Sequence, residues 1–415
     1  MKTVPFPAIT LGVDMLSNET SIPKGAVRKA INVNLDRYGN FSRRTGYTKV
    51  VSGAGFHSVR SLLQKGWVVL AQDNELKLIN TADYSMSSLY TLDSSDQLDY
   101  CEHNGDLYFS NRSTIGFVPY GSSVARALGI PNPDPGPILA ATTNGSLRAG
   151  TYTVALSYVD DLGRESGLGE YVQVTLPVDG GITASGLPTH SGWKLRVYIT
   201  APDGEVLYLN SEFNAVTTTI NINTFRELKQ TDTAALVPME PGSFIRPFNG
   251  RLYTCQDNVI SFSEPLRYGV TNLSTNKITM NDSITIFEPV LGGIYVGAGT
   301  KVWFMEGGDP SRFKQKLVSN CRAIPNSSTL VPGEHFNSKV VSPDYPVAVW
   351  LSTSGYVAGQ ADGTVVELQP DRVRIPGNHA GRSTFLLRNG MKQVVTPVNS
   401  TSAVAFGTAV DSSTS

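Results

Sequence analysis

Between Arg246 and Leu266 (RPFNGRLYTCQDNVISFSEPL) apolar and polar positions alternate with a period of two around β-branched and aromatic residues. That period belongs to a half-buried strand. The stretch predicts a β-hairpin, with Arg251–Cys255 as one strand, Gln256-Asp257-Asn258 as the turn and Val259–Ser263 as the return. The pattern is written more than once. Asn104-Gly105-Asp106-Leu107-Tyr108 repeats Asn249-Gly250-Arg251-Leu252-Tyr253, and in both copies an Ile (Ile115, Ile260) and a Phe (Phe117, Phe262) follow at the same distance.

Further copies follow from the same spacing. Gly66 precedes Leu76 and Leu78, Gly293 precedes Val302 and Phe304, and Gly355 precedes Val366 and Leu368; Gly390 opens a degenerate sixth. The anchoring glycines lie 39 residues apart from Gly66 to Gly105, 43 from Gly250 to Gly293, 62 from Gly293 to Gly355 and 35 from Gly355 to Gly390. Four-stranded propeller blades recur at roughly 40–50 residues, and each buries its faces only against its neighbours. The sequence therefore predicts an all-β chain with a β-propeller of five or six blades, and a loop insertion in the copy at 293–355.

One interval breaks the rhythm. Gly105 and Gly250 are 145 residues apart, a blade plus roughly 100 residues, which is the size of a β-sandwich. Gly129–Pro137 (GIPNPDPGP) is a stiff Pro-rich linker. Short strands follow at Gly150–Tyr158, Tyr171–Leu176, Trp193–Thr200, Val206–Leu209 and Val216–Ile222, with turns at Asp160–Gly163 and Pro202–Gly204. Residues 138–228 are thus expected to be an inserted fibronectin/Ig-like sandwich. Around it the chain divides into an N-terminal arm (1–30), the first part of the propeller (31–128), the linker (129–137), the second part (229–398) and a flexible tail (399–415). The arm is Pro-rich, with a short helical turn around Lys24–Ala30. Ala30–Tyr47 reads as strand, turn at Tyr38-Gly39-Asn40, and return strand ending in Arg43-Arg44.

Composition sharpens this picture in a few places. Of 415 residues 40% are hydrophobic and 17% charged, which suits a folded β-rich chain, and 39 Gly and 24 Pro without a collagen-like period serve as turn residues. A net charge of −1 gives no global basic surface of the kind that drives tight duplex binding. Cys101, Cys255 and Cys321 are far apart and odd in number, so buried thiols in a reducing compartment are expected. The N-terminus is a poor signal peptide, and no run approaches the ~18 apolar residues of a membrane span.

Chemistry is hard to find. No nucleophile elbow, zinc motif or P-loop is present, and the five histidines are scattered. Asp36, Asp73, Asp106, Asp257, Glu264 and Asp362 stand at blade edges, mostly beside Asn or Gly, where an Asx turn accounts for them. Glu306-Gly-Gly-Asp-Pro310 has too few carboxylates for a dedicated calcium loop and reads as a turn. No metal, cofactor or catalytic residue is expected. Arg43 and Arg44 suit an acidic partner, a phosphate or simply an exposed strand end. Ser261–Leu266 (SFSEPL) reads equally as a blade edge and as an inter-subunit or lumen-facing contact. Arg43, Arg44, Arg251, Ser263 and Glu264 are the candidate contact residues.

Three strings together resemble the tail nozzle (tail hub) proteins of short-tailed bacteriophages: Ala30-Ile-Asn-Val-Asn with Tyr38-Gly-Asn and Arg43-Arg-Thr-Gly-Tyr47; Phe248-Asn-Gly-Arg-Leu-Tyr253 with Phe262-Ser-Glu-Pro265; and Gly292-Gly-Ile-Tyr-Val296 with Val302-Trp-Phe304 and Gly307-Gly-Asp-Pro310. The resemblance implies a non-enzymatic virion protein made in the host cytoplasm. Such proteins form a ring, commonly of six copies, below the portal and adaptor, carry other tail proteins or fibres, and pass genomic double-stranded DNA without inserting in a membrane themselves. A nearly neutral surface suits a wall along which DNA slips. A carbohydrate-binding propeller with aromatic pockets at Trp67, Tyr108 and Tyr253 is the alternative, and a polysaccharide-degrading tail enzyme, which needs two carboxylates on one face, is a further one.

Overall fold

The computed structural model describes residues 8–9, 11–31, 33–35, 40–43, 46, 48–64, 66–336, 342, 344–375, 379–388 and 391–400. They form an all-β chain of many antiparallel sheets, in which the helical segments are single 3₁₀ turns at Glu19–Ser21, Pro310–Arg312 and Gly333–His335. No helix among the described residues is long and apolar enough to cross a membrane. The chain forms two compact units, one of residues 53–256 and 260–278, the other of residues 1–52, 257–259 and 279–415.

The repeat is visible as five four-stranded sheets. Sheet I holds Phe56–Ser61, Trp67–Gln72, Glu75–Asn80 and Met86–Thr91; sheet II holds Asp99–His103, Asp106–Ser110, Ile115–Val118 and Arg126–Ala127. Sheet III holds Phe244–Phe248, Arg251–Gln256, Val259–Phe262 and Lys277–Thr279; sheet IV holds Ile284–Val290, Gly293–Ala298, Lys301–Glu306 and Lys314–Ser319. Sheet V holds Thr329–Val331, Val347–Ser352, Gly355–Gly359 and Val365–Glu367. In sheets I to IV the anchoring glycine stands at the hairpin between first and second strands. The repeated Asn-Gly has a backbone cause: Asn104 and Gly105 have φ of 52° and 91°, Asn249 and Gly250 of 45° and 73°. Two consecutive left-handed residues are what a tight two-residue hairpin of type I′ needs.

Sheet V departs from the pattern. Its Gly355 joins the second and third strands, because Thr329–Val331 has been added beside Val347–Ser352. The long 293–355 interval is therefore more than a loop: it contains that extra strand and the Gly333–His335 turn. Gly390 lies outside the described residues, and the sixth copy is represented by Thr384–Arg388 paired with Met391–Val395.

Packing explains why the second strands are so apolar. Tyr100, Leu107 and Phe109 of sheet II join Val69, Ala71, Leu76 and Leu89 of sheet I in one cluster. The alternate residues Cys101 and Tyr108, with Phe117, join Ile245 and Leu252 of sheet III in another. Sheet II is thus buried on both faces. Polar ties span the second junction: Asp99 accepts from the Ile245 amide at 3.1 Å and pairs with Arg246, while Ser110 Oγ donates to Gly242 O at 2.8 Å. Sheet V is covered likewise, by Tyr295 and Phe304 of sheet IV against Trp350 and Val357, and by Phe385 and Val394 against Val349 and Ala358.

Between sheets II and III the chain builds a two-sheet module. Ile138–Leu147, Gly180–Ser185 and Thr219–Ile222 form one sheet; Val172–Leu176, Gly150–Val159, Lys194–Thr200 and Leu207–Asn214 form the other. Both contribute to one core, including Leu147, Ile182 and Ile222 from the first and Tyr152, Val154 and Val197 from the second. Two of these strands are not legible from propensity: Ile138–Leu147 carries Ala-Ala-Thr-Thr-Asn-Gly-Ser at its centre, and Gly180–Ser185 begins with two glycines. Those glycines let backbones approach, since a Cβ on Gly180 would sit 2.1 Å from Thr142 O and one on Gly181 2.3 Å from Asn144 O.

Near the N-terminus the helical turn expected around Lys24–Ala30 is replaced by extended chain, Ala26–Val27 pairing in parallel with Gly12–Val13. Gly25, at φ 92°, turns the chain instead, and its carbonyl accepts from the Leu11 amide at 2.8 Å. Val33–Leu35 and Phe41–Arg43 form the expected antiparallel pair, with the intervening residues 36–39 outside the described set. Of the expected flexible tail, Asn399 and Ser400 are part of a strand, Val398–Ser400, paired with His379–Gly381, and residues 401–415 lie outside the described set.

Candidate functional site

A cleft of about 340 Å³ opens between sheets I and II, where the Asn104-Gly105 turn meets the loop Pro119–Ser123 and the end of the strand at Leu62-Leu63-Gln64. Its floor is Trp67, Val69, Leu78, Leu89, Leu107 and Val118. Two lips stand out into solvent, Leu63 at 83% and Tyr120 at 78% exposure. The Tyr120 amide donates to Asp106 Oδ1 at 2.8 Å, so the first residue of sheet II's second strand holds the loop in place.

The electrostatics of the cleft are quiet. Glu102 reaches its edge, but one oxygen accepts from the Leu63 amide at 2.9 Å and the other lies 3.7 Å from Arg60 Nε. His103, on the opposite side of the strand, has Nε2 3.0 Å from Tyr268 Oη. The remaining polar lining, Gln64, Asn104, Ser122 and Ser123, is neutral. A site of this make-up holds an apolar side chain or ring well. Among the described residues no group of three or more His, Cys, Asp or Glu could hold a metal ion.

Arg43 ends an exposed strand, and Arg44 lies outside the described residues. Arg251, Ser263 and Glu264 meet at the end of sheet III's hairpin. Arg251 Nη1 donates to Ser263 O at 2.6 Å, with its guanidinium 5.3 Å from the Phe262 ring centroid. Ser263 is fully buried; its Oγ accepts from the Leu252 amide at 2.9 Å and donates to Glu264 O at 3.0 Å. Glu264 Oε1 accepts from Asn276 Nδ2 at 2.7 Å. Ser263 has no accessible side chain within the chain, and its hydroxyl serves the turn; Arg251 and Glu264 remain partly accessible.

Other sequence candidates resolve into local structure. Asp106 and Asp362 cap turns, the latter accepting from the Thr364 amide at 2.9 Å, a bond that holds its carboxyl below the usual carboxylate range. Asp309 caps the turn Pro310–Arg312 through the Ser311 amide at 3.0 Å. Tyr108 and Tyr253 are core residues, whereas Trp67 lines the cleft. Burial pushes the Cys101 thiol up to about 12 and raises Cys255 as well; all three cysteines are free. The cleft itself was not legible in the sequence. Its only signal is an apolar pair, Leu62-Leu63, just before a turn, with a solitary Tyr120 in a polar loop.

No protein-family model and no curated protein matches the chain. Among solved structures it is similar to BBS1N in complex with ARL6DN, at 12% identity over 85% of this chain and 92% of that one, with a TM-score of 0.32. The N-terminal domain of Nup159 follows at 12% identity, 84% and 88% coverage and 0.25. The extracellular domain of the putative one-component system BT4673 from B. thetaiotaomicron stands at 10%, 80% and 56%, and 0.22. Scores this low carry nothing over to this chain.

Proposed function

We propose that the chain is a structural protein of a bacteriophage tail, a nozzle or hub that forms a ring as part of the DNA-ejection conduit and docks other tail components. In this reading sheets I to V are blades of one propeller, the hairpin Thr384–Arg388 with Met391–Val395 belongs to a sixth, and the two-sheet module is a fibronectin/Ig-like sandwich inserted between blades. The observation that supports it is the burial of sheet II on both faces, with sheet I on one side and sheet III on the other. A blade within a ring is covered in this way. The virion role itself rests on the likeness of the three strings to tail nozzles.

The mechanism is passive. Several copies, commonly six in proteins of that kind, assemble through large interfaces, and a chain of net charge −1 lets the duplex pass without tight phosphate contacts. The proposed partners are other copies, the portal and adaptor, further tail proteins or fibres, and DNA in transit. The protein would be made in the host cytoplasm, reside in the virion tail, and need neither cofactor nor catalytic residue. Native mass spectrometry of the full chain and cryo-electron microscopy of assembled particles test this. A ring of several copies in the tail is expected; a chain absent from particles, or found in the capsid shell, overturns the reading.

One observation favours a second reading, a carbohydrate-binding propeller. Trp67 lines the cleft and Tyr120 stands exposed at its mouth, an arrangement in which aromatic faces meet a sugar ring. Reproducible glycan-array binding by monomer, lost in Trp67→Ala, would favour it over the hub.

A further inference from the structure

The module is joined to its host by more than two chain crossings. Its loop Asp160–Arg164 leans on sheet II. Arg164 lies with its guanidinium carbon 4.7 Å from the Phe117 ring centroid, donates from Nε to Asp160 Oδ2 at 2.8 Å and from Nη1 to Leu128 O at 2.7 Å. Asp160 is buried, and its other oxygen accepts from the amides of Leu162 at 3.0 Å and Arg164 at 2.8 Å. Beside it Arg126 of sheet II pairs with Asp161 at 2.5 Å, an interaction that keeps the Asp161 carboxyl below the usual carboxylate range.

The crossings are clamped too. Asn132 Nδ2 donates to both Leu168 O at 2.9 Å and Leu236 O at 3.0 Å, and Tyr171 Oη donates to Ala234 O at 3.0 Å. Glycines let these backbones touch: a Cβ on Gly167 would lie 1.7 Å from Leu236 O, and one on Gly169 2.2 Å from Pro133 O. Consistently, the module falls in the same compact unit as sheets I and II. The crossings define a hinge line. The contacts of loop 160–164 with Phe117, Leu128 and Arg126 add support from a separate loop, and that support fixes a body where a hinge alone would let it swing.

We propose that Arg164 is the positioning residue of a latch that holds the inserted module in one orientation on sheet II, so that its loops meet a partner at a fixed angle. The assignment does not depend on the tail reading. Without that guanidinium Asp160 keeps its two amide donors on Oδ1, but its buried Oδ2 loses its partner and must reach solvent or find another donor. Either outcome pulls loop 160–164 off Phe117.

Spin labels at Ser123→Cys beside sheet II and Glu205→Cys on the module, in a Cys321→Ser background, report the orientation by double electron–electron resonance; both labelled positions are exposed and the two remaining cysteines are buried. One narrow distance is expected for the otherwise native chain, with at least a twofold broadening in Arg164→Ala and a smaller one in Arg164→Lys. A distribution already broad in the native chain, or one unchanged in Arg164→Ala, overturns the proposal. If Arg164→Ala fails to fold, amide exchange in the native chain decides. Protection of Leu162 and Arg164, whose amides donate to Asp160 Oδ1 in the latch loop itself, as strong as in the module's strands supports the latch. Exchange at loop rates sinks it.

Discussion

Ser263 is the residue whose role changes most when its surroundings are known. Its hydroxyl satisfies the buried Leu252 amide, so Ser263→Ala leaves a donor stranded and should cost about 1–3 kcal/mol, measurable by urea unfolding. Unaltered stability with an altered oligomeric state would return Ser263 to an interface. The cysteines give a second test. Since burial raises Cys101 to about 12, a thiol reagent at pH 8 should modify Cys321 first in native protein and all three residues only in denaturant. The same shift fixes a pH dependence. Above the ordinary thiol value near 9 the unfolded chain loses a proton that native Cys101 keeps, so its contribution to stability is full below that value and declines as pH climbs toward 12. At this level the sequence leaves Ser-Glu-Pro readable as turn or contact, and what the Ser263 hydroxyl does within the chain depends on the Leu252 amide, eleven residues away, which the local string does not reveal.

Hairpins were the most legible elements, because their signal is local. Asn-Gly at 104–105 and 249–250 demands left-handed backbone, and Gly250→Ala, at φ 73°, should lose roughly 1–2 kcal/mol in thermal unfolding. Strands held by long-range approach were illegible. Nothing in Gly180-Gly181-Ile-Thr-Ala-Ser reads as sheet until Thr142 and Asn144 are seen to come within reach of their backbones. Gly181→Val should therefore destabilise the module by on the order of 1–3 kcal/mol through overpacking, read as earlier loss of near-ultraviolet signal from Trp193, which packs against the module's core. The added strand Thr329–Val331 was hidden for a related reason: three residues bounded by a Pro turn carry no period to detect.

Across the whole chain, the repeat predicts an all-β architecture of antiparallel sheets, which the described residues form, while the cleft and the latch are not legible because they join residues from separate stretches of sequence. Trp67→Ala offers a check on the cleft: loss of glycan-array binding with an unshifted melting temperature would assign it to sugar recognition, whereas lowered stability would assign Trp67 to packing. The double reach of Asn132 has a consequence for inheritance and engineering. One side-chain amide touches Leu168 O and Leu236 O together, so the polypeptide leaves its host and rejoins it at almost the same spot. On the proposed reading of an inserted domain, the module is a cassette. Replacing residues 133–235 by a short Gly-Ser bridge should leave sheets I to III able to fold, as amide exchange would report, and a foreign domain whose two ends lie side by side could be grafted into the same gap.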